Sequence, residues 1–362
     1  MPTATIVRRF GQLGSQARAD GMSFEILERS MTTIPITLLF ADGVTHRFDA
    51  EPGEKLVDAA SRSGLSLLTD CSNGQCGTCA GQCVSGQVEL DDYDPSVLPD
   101  DERDDGAILC CVTRVTEPVI VELPYDASEA SAEEAAPQIG RVHSVTQVAD
   151  ETLRLDVDVD TAVDFLPGQY VKLKPDGVAE TRSYSMANES GQSRLTFYVR
   201  IVPGGLFSTW LATKAKHGDA IEVSPPRGSF FLRDDDRPRL FVAGGTGLAP
   251  FLAMLRAIGA GRYEPSPTRL IVGVRTGKHF FAQEEIAALK EAFPRLEVQY
   301  SAEVDAIKNC HEGYGTDLIA STSVDPRTQV YLCGPPPMVE AGRNAIAKAG
   351  LRKGDALCER FA

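Results

Sequence analysis

The chain has 362 residues, 43% of them hydrophobic and 24% charged, which allows two or three domains with real cores. A formal net charge of −15 excludes the clustered basic footprint of a nucleic-acid binder and fits a protein partner instead. No apolar run approaches the ~18 residues of a spanning helix, so no membrane is expected, and nine cysteines, six of them from Cys71 to Cys111, point to metal ligation in a reducing cytoplasm rather than to a disulfide framework.

Residues 1–33 carry no sustained periodicity and are expected to form an N-terminal extension. They lack the apolar stretch of a secretory signal, and Met22 or Met31 is a candidate natural start. Ile34 to Phe40 then reads as a strand, Asp42-Gly43 as a turn, the stretch through Phe48 as a second strand, and Lys55 to Ser63 as a short helix leading into the cysteines. This is a compact domain over residues 34–125. Residues 126–137 are small and acidic, as in a solvated linker. Alternation at Thr152 to Val159 and Arg194 to Arg200 predicts an antiparallel sheet or barrel over residues 138–234. After Arg237-Pro238 the texture changes to apolar strands at Leu240 to Ala243, Leu270 to Val274 and Val330 to Cys333. Helices at Pro250 to Ile258, Glu284 to Ala292 and Met338 to Ala349 alternate with them, which predicts a doubly wound α/β domain over residues 235–362.

Cys71, Cys76 and Cys79 follow C-x4-C-x2-C, and Cys111 stands at the distance of a fourth ligand, the spacing of a plant-type [2Fe–2S] cluster. Gly74 and Gly77 let the loop wrap closely, with backbone N–H groups free to reach sulfur. A zinc ribbon needs two close cysteine pairs and a Rieske centre needs paired Cys and His; no His lies between Cys71 and Cys111. Cys110 and Cys111 are adjacent, so one must be chosen. Ile108-Leu109-Cys110-Cys111 resembles the Leu-Ala-Cys ending of ferredoxins with Cys110 in the small-residue place, which favours Cys111. Cys83 and Cys110 are then read as buried small apolar residues.

Arg182-Ser183-Tyr184-Ser185 follows the strand signal Pro167-Gly168-Gln169-Tyr170-Val171. With Gly204-Gly205-x-x-Ser208 and Pro226-Arg227-Gly228-Ser229-Phe230 it resembles the flavin barrel of the ferredoxin–NADP reductase family. Arg182 offers a charged fork to the pyrophosphate of FAD, Tyr184 and Ser185 bracket the isoalloxazine, and Gly205 with Ser208 offers donors to phosphate at a helix start. Further on, Phe241 to Pro250 joins an apolar strand to a helix through glycines, setting helix N–H groups against a pyrophosphate. The form G-x-G-x-x-P, made by Gly245, Gly247 and Pro250 around Thr246, resembles the nicotinamide domain of the same family. The segment Val330 to Met338 matches that family's Cys-Gly-Pro; the resemblance places Cys333 beside the nicotinamide as a positioning residue, with Gly334 and Pro335 at the cofactor. Cys358-Glu359-Arg360-Phe361 resembles the family's terminal Glu-Lys-Phe, which implies an acid, Glu359, near the flavin and an aromatic, Phe361, over the ring; Arg360 departs from the usual Lys. Gly273-Val274-Arg275 resembles NADH-linked members and puts Arg275 at the cofactor, while Lys278 stands where they often carry an acid; NADH is expected ahead of NADPH.

The domain order resembles the reductase components of bacterial aromatic-ring dioxygenases of the benzoate and anthranilate type, over nearly all of the chain after residue 33. The resemblance implies a multidomain α+β and α/β fold: a β-grasp-like ferredoxin domain, an antiparallel six-stranded FAD-binding barrel and a doubly wound parallel-sheet nicotinamide domain. It also implies transfer from NADH through FAD to the [2Fe–2S] cluster and on to a terminal oxygenase of the Rieske non-haem iron class. The sequence does not fix the oligomeric state, and a monomer is favoured. Reductases of soluble diiron monooxygenases share the order. A stand-alone diaphorase differs by fast turnover without a protein acceptor, and a redox sensor by slow flavin reduction. The acidic stretch Asp91, Asp92, Asp94, Asp100, Asp101, Glu102, Asp104 and Asp105 reads either as a docking surface for a basic partner or as a solvated loop.

Overall fold

Alternation of apolar and polar residues sets the first sheet. In the computed structural model, which describes residues 33–130, 136–320, 324–351 and 356–361, β1 (Ile34–Leu39) buries Ile34, Ile36 and Leu38 on one face. The extension expected over residues 1–33 lies, apart from Thr33, outside the described residues. The first domain continues with β2 (Thr45–Ala50), α1 (Leu56–Arg62), β3 (Ala80–Ser85), β4 (Val88–Leu90), α2 (Asp100–Asp104), β5 (Ala107–Leu109), β6 (Thr113–Val115) and β7 (Val119–Glu122). Five strands form one sheet in the order β2-β1-β7-β3-β5, with β1 and β7 parallel and the other pairs antiparallel. Helix α1 adds Leu56, Ala59 and Ala60 to the same core, giving the β-grasp arrangement. Each fully buried Leu or Ile here contributes about 1.5–3 kcal/mol.

The stretch expected as a solvated linker over 126–137 departs from a free tether at its start. Residues Ala127–Ala130 form a 3-10 turn, Ala130 is fully buried, and its carbonyl accepts from the Ser66 amide at 2.9 Å. Alanine side chains are small enough to pack flat on the first domain. Residues 131–135 lie outside the described residues.

The second domain comprises β8 (Gln138–Ala149), β9 (Thr152–Val163), β10 (Tyr170–Pro175), β11 (Arg182–Ser185), β12 (Gln192–Arg200), α3 (Leu206–Thr213) and β13 (Ala220–Val223). Its six strands are antiparallel in the order β11-β10-β13-β8-β9-β12. Register shifts along β8, β9 and β12 bend the sheet until its edges meet. The seam closes where the Ala187 amide donates to Thr196 O and the Thr196 amide to Asn188 Oδ1, both at 2.9 Å.

The third domain runs β14 (Arg239–Gly244), α4 (Leu248–Gly259), β15 (Thr268–Val274), α5 (Gln283–Ala292), β16 (Leu296–Ala302), β17 (His311–Glu312), α6 (Asp317–Ala320), β18 (Gln329–Gly334), α7 (Pro336–Lys348) and β19 (Ala356–Arg360). All six strands are parallel, in the order β17-β16-β15-β14-β18-β19. The order reverses between β14 and β18. Sheets of this kind take ligands at that switch point, outside the carboxyl ends of the strands. Phe230, at the end of the barrel, packs edge-on against Phe251 and Tyr331 of this domain with centroids 5.8 Å away in each case, so barrel and sheet share a core at the crevice. Among the described residues no helix is long and apolar enough to cross a membrane.

Candidate active site

The loop from Cys71 to Cys79 is shaped by backbone that few residues adopt. Ser72, Gly74 and Gly77 all have positive φ, at 58°, 75° and 82°. Glycine takes this path freely, and Ser72 takes it at a cost of order 1–3 kcal/mol. A Cβ on Gly74 would also stand 2.6 Å from Tyr93 Cβ, so the loop is pressed against its neighbour. The Cys71 thiol lies within hydrogen-bonding reach of both Cys76 and Cys111, and Cys111 also of Cys79. The sulfurs therefore form a row, Cys76, Cys71, Cys111, Cys79, and among the described residues no three ligand side chains close on a single ion. A row of thiols fits a cluster with two iron centres, whereas tetrahedral zinc gathers all four ligands around one point. Amides already point at sulfur: Gln75 N donates to Cys71 Sγ at 3.2 Å and Cys111 N to Cys79 Sγ at 3.4 Å. Cys110 turns into the core, where it is 1% exposed, and takes no part in the row.

On the barrel, Gly205 starts α3 without any side-chain cap. The Phe207 amide in the first turn donates to Glu180 Oε2 at 3.0 Å, and Arg182 pairs with the other oxygen of that carboxylate. A carboxylate thus stands where a helix start and a guanidinium converge, in the place and with the charge that a pyrophosphate needs. The donor set fits the anionic part of FAD. Ser208 is placed differently from the expectation: its hydroxyl closes the Pro203–Gly205 turn, accepting from Val202 N at 3.1 Å and donating to Val202 O at 3.3 Å. A Cβ on Gly205 would come within 2.9 Å of Ser208 Oγ, and Gly204 has φ +79°, so the two glycines and Ser208 build the turn together. Tyr184 rests on Phe207 with ring centroids 5.0 Å apart, and burial pushes its phenol up.

The crevice between β14 and β18 is lined by close backbone approaches. Gly245 (φ 55°), Thr246 and Gly247 make a 3-10 turn into α4, whose start again lacks a side-chain cap. A Cβ on Gly247 would meet Cys333 O at 2.2 Å and the Phe361 ring at 3.1 Å. Only glycine fits there. Pro250 is buried in the first turn of α4, Pro335 caps α7, and Gly334 O accepts from the Phe361 amide at 3.3 Å. These open helix-start amides in a glycine-lined crevice fit a dinucleotide. Arg275, at the carboxyl end of β15, is exposed.

At the floor of the crevice three side chains meet. Ser185 Oγ donates to Glu359 Oε2 at 2.9 Å, and the Cys333 thiol reaches the same oxygen at 3.5 Å. Glu359 is surrounded by protein although the open crevice leaves it partly accessible. Burial raises its carboxyl to about 7, against the Ser185 and Cys333 hydrogen bonds, which favour the charged form. Burial, with Glu359 nearby, pushes the Cys333 thiol well up, so it stays a neutral thiol. That suits packing and donation, not nucleophilic attack.

The structure therefore brings Ser185, Cys333, Glu359, Phe361, Gly247 and Gly334 to one junction, with the cysteine loop beside it, and sets Tyr184 on Phe207 in the barrel core. Three residues there had no role in the sequence reading. Glu180 sits two places before Arg182, and its only signal is that acid-x-Arg spacing. Ser229, inside the quoted Pro-Arg-Gly-Ser-Phe, donates to Thr78 O of the cysteine loop at 3.1 Å. Arg343 of α7 pairs with Glu102 of α2, a contact between distant segments that no local pattern announces. Half of the acidic stretch is engaged in internal ion pairs: Asp91 with Arg114 and Lys55, Asp100 and Asp104 with Arg103, Glu102 with Arg343.

Comparison with known proteins agrees with this geometry. The chain matches the family described as 2Fe-2S iron-sulfur cluster binding domain over residues 39–116. It matches the oxidoreductase FAD-binding domain over 140–232 and the oxidoreductase NAD-binding domain over 241–344. It is 35% identical over 329 residues to the toluate 1,2-dioxygenase electron transfer component of Pseudomonas putida, covering 89% of this chain and 97% of that one. To methane monooxygenase component C of Methylosinus trichosporium it is 34% identical over 284 residues, 76% of this chain and 81% of that one. Among solved structures, a cytochrome P450 reductase of Amycolatopsis superposes with a TM-score of 0.68 at 29% identity, covering 90% of this chain and 98% of that one.

Proposed function

This chain belongs to the family of oxygenase electron transfer components that join 2Fe-2S, FAD-binding and NAD-binding domains, and from that premise we propose that it delivers electrons to a ring-hydroxylating dioxygenase of the Rieske non-haem iron class. The observation that carries the relay is the meeting of the domains on one strand: Glu359 of β19 takes a hydrogen bond from Ser185 of the barrel, while its neighbour Arg360 donates to the cysteine loop. The 35% identity to the toluate component over 89% of this chain and 97% of that one supports a dioxygenase partner.

Bound FAD would supply the conversion between a two-electron hydride from the nicotinamide and single electrons for the cluster. Arg182 and the start of α3 would hold the FAD pyrophosphate in place of Glu180, and Tyr184 would support the flavin from the barrel side. The Gly245–Gly247 turn holds the dinucleotide phosphates. Phe361 covers the crevice, and Cys333 fills its floor and excludes water. Glu359, whose Oε2 accepts from Ser185 Oγ, would hold its proton on the other carboxyl oxygen at the crevice floor and exchange it with solvent along the open crevice. Cys71, Cys76, Cys79 and Cys111 hold the cluster.

The partner docks on the exposed arm of the cluster loop, Ser72, Asn73 and Gln75, flanked by exposed Asp92 and Asp94. This rim calls for a basic partner surface. None of the nine cysteines is in a disulfide, which supports a reducing compartment, the cytoplasm, and a single chain carries every site, which supports a monomer. Mixing the purified protein anaerobically with NADH, then with NADPH, and adding a Rieske dioxygenase or a diiron hydroxylase tests the reading. Bleaching of flavin and cluster by NADH, followed by reduction of the dioxygenase alone, is expected. Reduction of the hydroxylase alone overturns the partner assignment, and bleaching of flavin without the cluster overturns the relay.

A further inference from the structure

Side chains of a strand alternate between two faces, and β19 uses both at its end. Glu359 enters the crevice with Ser185 and Cys333; Arg360, the next residue, reaches into the first domain. Arg360 Nη1 donates to Cys76 O at 3.5 Å and Nη2 to Ser96 O at 3.2 Å. The same Nη1 lies 3.1 Å from the place a Cβ on Gly77 would occupy, so the guanidinium is laid directly on the loop. Both partners are carbonyl oxygens, and among the described residues no carboxylate lies within ion-pair distance of Arg360. Among the described residues, therefore, no carboxylate neutralises the positive charge beside Cys76.

We propose that Arg360 is a positioning residue of the electron relay: it pins the Cys76–Thr78 arm of the cluster loop to the strand that carries Glu359, and its charge raises the reduction potential of the cluster. The proposal rests on the family reading of the four cysteines. Two consequences of the geometry support it. A fork spans Cys76 O and Ser96 O at once, which fixes two turns of the loop region relative to the strand, whereas an ammonium is a point donor. A cation held next to a sulfur ligand favours the more negative, reduced form of a cluster. The electrons involved are those of the established reaction: oxidation of one NADH to NAD⁺ and a proton releases two, and each passes singly to the cluster.

Arg360→Met and Arg360→Lys, in the protein loaded with flavin and cluster, test this by two readouts. Potentiometric titration followed by the electron paramagnetic resonance of the reduced cluster gives the potential; anaerobic rapid mixing with NADH gives the separate rates of flavin and cluster bleaching. In Arg360→Met the ratio of reduced to oxidised cluster at a fixed poise falls about tenfold, and cluster bleaching slows about tenfold while flavin bleaching does not. Arg360→Lys recovers the potential but not the bleaching rate. An unchanged potential in Arg360→Met, or flavin bleaching slowed by the same factor as cluster bleaching in both variants, overturns the proposal. Absence of a cluster signal in the unsubstituted protein overturns the family reading itself, a different and separately visible failure.

Discussion

Ser185 and Glu359, 174 residues apart in the chain, share a hydrogen bond of 2.9 Å that ties a barrel strand to the last strand of the parallel sheet. The carboxyl in that bond carries the pH dependence of the site. Glu359 holds its proton to about pH 7 in the folded protein, against a usual 4.5, because it is buried. Below the unfolded value the folded state has the full benefit of this group, and the benefit is lost as pH rises through about 7. Glu359→Gln stays neutral throughout. Its melting temperature therefore rises relative to the parent protein between pH 5 and pH 8. NADH-driven dye reduction in the variant loses the inflection near pH 7 and slows about 10²-fold, as expected for a lost general acid. A parallel loss of stability at both pH values would refute the assignment.

Cys110 and Cys111 separate cleanly. Cys111 lies within reach of Cys71 and Cys79, whereas Cys110 is buried in the core beside Tyr125. Cys111→Ser loses the visible absorbance of the [2Fe–2S] cluster, and Cys110→Ala keeps it with a stability loss of about 1 kcal/mol. The reverse pattern would exchange the fourth ligand.

Gly247→Ala forces a methyl group to within 2.2 Å of Cys333 O, which is backbone and does not step aside. The strands β14 and β18 must separate. Thermal unfolding is expected to show a loss of about 1–3 kcal/mol, and titration of the reduced nucleotide to show binding weakened far beyond what that loss explains. Tight nucleotide binding in a stable variant would move the dinucleotide site elsewhere.

Arg343 and Glu102 form an ion pair between the first and third domains, with side-chain exposures of 5% and 20%. Removing one partner leaves the other charge in a largely dry place. Arg343→Met costs about 3 kcal/mol in the melting of the full chain, and the pair Arg343→Met with Glu102→Leu regains most of it. Equal losses in the single and double variants would mean that packing of the arginine stem, not its charge, holds the interface.

The sequence by itself determined the order of domains, the cysteine loop and the glycine turn into α4. These depend on spacing within a few residues: Gly74 and Gly77 where φ is positive, Gly247 where no side chain fits, alternation in Ile34–Leu39 where one face is buried. Tertiary structure alone decided how those pieces are used. Glu359 gains its raised carboxyl only when the barrel brings Ser185 and the sheet buries it, and Arg360 meets Cys76 O across 284 residues. Ser208 turns inward to Val202, Glu180 claims the start of α3, and half of the acidic stretch is paired at home. Such contacts join segments that only packing makes neighbours, so their energy and chemistry exist in the folded chain and have no counterpart in local spacing.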